Sequence, residues 1–164
     1  DRTYVKDSLL LCDSSWPFMV SWKSPDRVGD PTLESRIFGA VTGIETDEPG
    51  LLTYGERIFN LQRAILLREG HKPKSDDVPE AFNFTDPVET VFMNPEVVVP
   101  GPDDEVVSRK GRILDREDYE VMRREFYELR GWDPETGLQR ADTLKRLDLS
   151  DLAEELRKNG WVAP

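Results

Sequence analysis

"LTYGERIFNLQRAILLREG", Leu52 to Gly70, is the stretch that decides the fold class. Tyr54, Ile58, Leu61 and Ile65 recur at the three- and four-residue spacing of one helix face. Thr53 and Glu56 have the spacing of a capping box, and Gly70 follows as a stop. The spacing therefore predicts an amphipathic helix from about Thr53 to Glu69. Three more segments read the same way. In "GDPTLESRIFGAVTGIE" Asp30 is placed to cap, Pro31 to open the first turn and Gly43 to end it, with Leu33, Ile37, Ala40 and Val41 on one face. In "LDREDYEVMRREFYELRGW" Asp115 caps, Glu117 and Asp118 favour the first turn, and Tyr119, Met122, Phe126 and Leu129 align. "RADTLKRLDLSDLAEELRKNGW" reads as two short helices, with Ser150 capping the second. The expected class is all-α and multihelical.

Between His71 and Leu114 the helical period disappears and six prolines occur, at 73, 79, 87, 95, 100 and 102. Such a length without regular structure is uncommon inside a compact domain. "EVVVPGPDDEVVS" has β-branched arms around a turn-rich centre, which predicts a small hairpin about Pro100–Asp104. The rest contains Phe82, Phe84, Val91, Phe92 and Met93, too apolar for a disordered linker. It is expected to form an irregular strap, 71–114, lying across a surface within a helical domain spanning 1–164.

Composition narrows the function. Asp and Glu number 33 against 22 Lys and Arg, a net charge of −11. That balance argues against nucleic acid and anionic membrane as general partners, since both are bound through basic patches. No apolar run approaches the ~20 residues of a membrane span, and no signal-peptide pattern opens the chain. One cysteine excludes an internal disulfide and suits a reducing cytoplasm. A chain that opens at Asp1 in polar sequence reads as a piece of something longer.

Several polar features read as architecture. His71, the one histidine, has no second histidine or cysteine at metal-ligand spacing and is expected to be a solvated loop residue. The Asp pairs at 76–77 and 103–104 lack the alternation of a calcium loop and are expected to be solvated turns. In "YELRGWD" Gly131 takes the left-handed position and Trp132 folds back on Tyr127 or Phe126, as in a Schellman ending. Trp16 and Trp22, around Pro17, are either core or anchors for a partner. Cys12 alone is either a small buried hydrophobe or one ligand of a cluster whose remaining ligands lie elsewhere, because a cluster takes about four.

"DSLLLC", Asp7 to Cys12, resembles the D-x-x-G-L-C motif of the tungsten-containing aldehyde ferredoxin oxidoreductase family. The resemblance continues in order through "AVTGIE", "GERIFNLQRAILLREG", "FYELRGWDPETG" and "LAEEL", covering nearly the whole chain. "DSLLLCDSSWP" and "GERIFNLQRAI" lean towards the branch that includes the benzoyl-CoA reductase catalytic subunit. The resemblance implies a tungsten (or molybdenum) bis-pterin and a [4Fe–4S] cluster in the intact protein. It implies that Cys12 is the cluster's fourth ligand, that Asp7 hydrogen-bonds the pterin and that Leu11 contributes backbone contacts. A carboxylate suits the N–H edge of an aminopterin, a planar and charge-assisted match. A cysteine at iron is deprotonated by the metal. Leu10 stands where the family motif has glycine, which bears on close backbone approach. The family's acid and base residues would lie upstream, so no catalytic residue is expected in this chain. The implied activity is oxidation of an aldehyde to a carboxylate with electrons passed to ferredoxin or another electron-transfer subunit, the fragment itself being inactive. The alternative reading is a helical protein-interaction module using Trp16, Trp22 and the strap, with Cys12 as a buried structural residue.

Overall fold

The computed structural model describes residues 2–10, 25–30 and 32–163. In chain order these form α1 (Arg2–Ser8), α2 (Leu33–Thr42), α3 (Glu48–Arg68), α4 (Pro73–Asp76), β1 (Val98–Pro100), β2 (Val106–Ser108), α5 (Arg116–Leu129), α6 (Ala141–Arg146) and α7 (Ser150–Lys158). The fold is all-α apart from one small hairpin, as the sequence predicts. The chain divides into two units, one of residues up to 71 with 139–162, the other of 72–138.

In the first unit α3 is the spine, and it starts five residues before Thr53. Asp47 accepts from the Gly50 N–H at 2.9 Å and Pro49 lies in the first turn. That pairing outcompetes the Thr53–Glu56 box. The Thr53 hydroxyl instead donates to the Pro49 carbonyl, and Glu56 pairs with Arg146. The expected stripe is also corrected. Leu51 and Gly55 are buried near the start, whereas Asn60, Arg63, Ala64 and Leu67 are buried near the end, and Leu61 and Ile65 are exposed. The helix changes its buried face part-way because it serves two clusters. Val5, Phe38 and Leu51 form one, with Leu9 and Tyr54 packed against it. Ala64, Leu144, Ala153 and Leu156 form the other, with Leu149, Leu152, Trp161 and Val162 around it.

Gly43 ends α2 in the left-handed conformation, as expected. Asp30 works one turn ahead of the helix: its carboxylate accepts from the Thr32 N–H and hydroxyl, and those bonds hold it below the usual carboxylate range. The inward face of α2 is Glu34, Ser35 and Phe38, and Val41 is exposed. Phe38 decides this, its ring meeting Tyr54 at 5.0 Å. The two short C-terminal helices are present, although Ser150 is the first residue of α7 rather than its cap. They are tied to α3 by a buried amide pair. Gln139 Nε2 donates to the Asn60 carbonyl at 2.9 Å and to Asn60 Oδ1 at 2.7 Å. The two bonds fix one arrangement of this part of the core, although Gln139 Oε1 is buried without a hydrogen-bond partner among the described residues.

In the second unit the predicted hairpin forms, with Val98 opposite Ser108 and Pro100 opposite Val106. Asp103 and Asp104 lie in its exposed turn, as predicted. The strap is fixed at Phe84, whose ring meets Tyr119 edge-on at 5.8 Å and Arg116 at 4.1 Å. Phe82 and Phe92 do not pack as expected: they are 58% and 92% exposed. Asp115 caps α5 through the Glu117 and Asp118 N–H groups. The Schellman ending is realised in full. Gly131 has φ +66°, its N–H reaches the Glu128 carbonyl, and the Trp132 N–H reaches the Tyr127 carbonyl. Trp132 is 1% exposed between the Phe126 and Tyr127 rings.

The inward face of α5 differs from the apolar stripe. Met122 and Leu129 are exposed, whereas Tyr127 is buried. The cause is Asp77, which the sequence reading places in a solvated turn. Tyr127 donates its hydroxyl to the Asp77 carboxylate, and Tyr119 donates to the Asp77 carbonyl at 2.6 Å. Tyr119, Arg123 and Tyr127 recur every four residues, and their polar tips converge on 74–77. Gly137 closes this joint: at φ +67° an added Cβ would lie 2.7 Å from Pro73 Cβ and 2.8 Å from the Tyr127 ring.

Candidate functional site

The C-terminal end of α1 carries the site residues that can be placed. Val5 is 2% exposed and Leu9 packs on the same cluster four residues later, while the Tyr4 ring meets Phe59 at 5.0 Å. These contacts pin one face of the helix. Asp7 falls on the opposite side and is exposed. Its carboxylate makes no hydrogen bond or ion pair among the described residues. Leu11 and Cys12 lie outside the described residues, as do Trp16 and Trp22.

Two features of this helix end oppose its stability. Asp7 lies in the last turn, where the helix dipole disfavours a carboxylate by about 0.3–1 kcal/mol. Leu10 follows at φ +57°, a left-handed conformation that costs a residue with a side chain about 1–2 kcal/mol. The turn is held by the Leu9 N–H on the Val5 carbonyl at 3.0 Å and the Leu10 N–H on the Asp7 carbonyl at 3.1 Å. Leu10 thus has the left-handed backbone conformation that a glycine would adopt. The Leu10 side chain is 92% exposed, so burial among the described residues does not offset the strain.

Elsewhere the structure reassigns expected bystanders. His71 is half-buried rather than solvated: Arg63, 5% exposed, donates from Nη1 to His71 Nε2 at 3.0 Å. An arginine only donates, so this ring nitrogen is an acceptor, which suits a structural histidine at the end of α3. No group of three or more His, Cys, Asp or Glu among the described residues is arranged to hold a metal ion. No helix among them is long and apolar enough to cross a membrane. An open recess of about 780 Å³ in the second unit is lined by Phe82, Arg109, Arg112, Asp86, Glu89 and Asp118 among others. Its mixed charges converge on no common point. The sequence reading missed the Asp77 joint and the Arg63–His71 pair because both depend on residues brought together by folding.

With that geometry in place, likeness to known proteins becomes informative. The family model for aldehyde ferredoxin oxidoreductase, domains 2 and 3, matches residues 1–149. In fold the chain is similar to one in the active-site complex of benzoyl-coenzyme A reductase bound to 1,5-dienoyl-CoA. The TM-score is 0.55 at 20% identity, over 81% of this chain. The match covers 16% of that longer chain. At this identity the likeness is one of fold. The match over residues 1–149 places the chain in the aldehyde ferredoxin oxidoreductase family, in the region of domains 2 and 3.

Proposed function

We propose that the chain is the C-terminal part of a pterin-dependent tungsten (or molybdenum) iron–sulfur oxidoreductase, with Asp7 and Leu11 contacting the pterin and Cys12 ligating a [4Fe–4S] cluster. The observation that carries this is the run Asp7–Cys12, at an unfavourable helix end inside the segment matched to the family. The donor chemistry fits. Asp7 offers an exposed carboxylate with no competing partner among the described residues, suited to the N–H edge of a planar heterocycle. Cys12, five residues on, offers the thiolate that iron requires. When bound, the metal–pterin group supplies two-electron oxidation and reduction, and the cluster passes electrons singly.

The residues of this chain then have limited tasks. The contacts of Tyr4, Val5 and Leu9 hold α1, and with it Asp7, in place, and the left-handed Leu10 follows the helix end. Proton transfer belongs to groups outside this chain, and His71, engaged by Arg63, is not one of them. In the intact protein the reaction is oxidation of an aldehyde with water to a carboxylate. Its electron pair leaves one electron at a time to ferredoxin or another electron-transfer subunit, and its protons go to solvent. We place the protein in the cytoplasm, a reducing compartment in which cysteines stay available to iron rather than forming disulfides. The test is aldehyde-dependent reduction of a viologen dye under anaerobic conditions. The intact protein should reduce the dye and the 164-residue chain should not. An intact, metal-loaded protein inert towards a panel of aldehydes would remove the aldehyde assignment while leaving the family intact.

A further inference from the structure

We infer that Leu10 is a positioning residue for the pterin, its side chain covering the face of the ring system whose edge Asp7 binds. The inference rests on the cofactor assignment above. Three observations carry it. Leu10 is left-handed at φ +57°, although an unbranched helix ending with glycine would avoid the strain. Its isobutyl group is 92% exposed, so packing against the described residues does not offset the strain. Asp7, three residues earlier on the same helix end, is exposed, in the last turn and without a hydrogen bond or ion pair among the described residues. Local rules broken together at one place, with no internal compensation, mark a site whose compensation is a bound partner. An exposed carboxylate and an exposed apolar group three residues apart at one helix end match a ligand with an N–H edge and a flat, weakly polar face. A pterin has both. Asp103, Asp104 and Asp148 are also left-handed, but aspartate tolerates that conformation. Val97 is left-handed but buried, and Met93 and Arg27 share the strain and the exposure, but no ligand-binding group is assigned beside them.

The inference separates two effects that a purely structural leucine would not separate. In the 164-residue chain, Leu10→Gly relieves the left-handed strain and should raise Tm by about 2–8 °C. In the intact protein the same change should speed pterin loss on dialysis by roughly tenfold or more, as expected when a leucine loses its buried contact. Pterin retained per chain is read by fluorescence of the released, oxidised pterin. Leu10→Met, apolar and equally strained, should retain pterin as the wild type does. If Leu10→Gly retains pterin normally while Asp7→Ala loses it, the inference is overturned and the cofactor assignment stands. An unchanged or lowered Tm in the chain also overturns it, because the strain would then be absent. Intact wild-type protein devoid of pterin overturns both.

Discussion

Asp76 and Asp77 are adjacent acidic residues that composition treats alike, and the structure gives them unequal weight. Asp76 accepts from the exposed Lys72 N–H at 2.8 Å, a local cap at the start of α4. Asp77 accepts the hydroxyl of Tyr127, a residue 3% exposed. Replacing Asp76 by alanine should cost about 0.5–1 kcal/mol, as for an exposed cap. Replacing Asp77 removes the hydrogen bond from a buried hydroxyl to a charged acceptor, which costs about 2–3 kcal/mol. For a chain of this length each kcal/mol moves Tm by about 2–4 °C, so Asp77→Ala should fall by about 4–12 °C. Urea unfolding followed by tryptophan emission suits the comparison, because Trp132 lies against the Tyr127 ring. A cycle with Tyr127→Phe isolates the pair and should give a coupling of about 1 kcal/mol or more. Equal losses below about 0.5 kcal/mol for both aspartates would refute the joint and restore the solvated-turn reading.

Trp132→Ala should cost about 3–5 kcal/mol, because it empties the space between Phe126 and Tyr127, and denaturant melts would reveal a smaller loss if the Schellman staple were only superficial. Alkaline pH should weaken the second unit. Burial chiefly raises the Tyr119 pKa, Arg123 lowers it, and Asp77 and Glu120 raise it further. The fold therefore keeps this proton where the unfolded chain has released it, so stability falls as pH climbs past about 10, and Tyr119→Phe should flatten that part of the profile. Brief chymotrypsin treatment should cut first at Phe92, 92% exposed, well before the buried Phe38 or Tyr127; mass spectrometry of the first fragments decides this.

The helices were legible because their signals are local. Asp115, Gly43 and the "LRGW" ending act through neighbours in sequence, and all three behave as read. The hairpin at 98–108 was legible for the same reason, from β-branched arms and a proline–glycine turn. Which helix face turns inward was not legible, since it depends on partners distant in sequence. Phe38 rotates α2 towards Tyr54, α3 divides its burial between two clusters, and Asp77 draws the tyrosines of α5 inward against the apolar pattern. The candidate site was visible only through the resemblance of "DSLLLC". What the structure adds there is physical: an exposed Asp7 in a disfavoured turn, and a strained, exposed Leu10 beside it.

Iron content of the intact, anaerobically purified protein tests most directly whether Cys12 is an iron ligand. Wild type should carry about four iron atoms per cluster-bearing chain, and Cys12→Ser should lose iron or shift the cluster's electron paramagnetic resonance signal while its helical circular dichroism stays unchanged. A Cys12→Ser protein with the wild type's iron, cluster signal and activity would contradict the assignment and leave Cys12 as a structural residue.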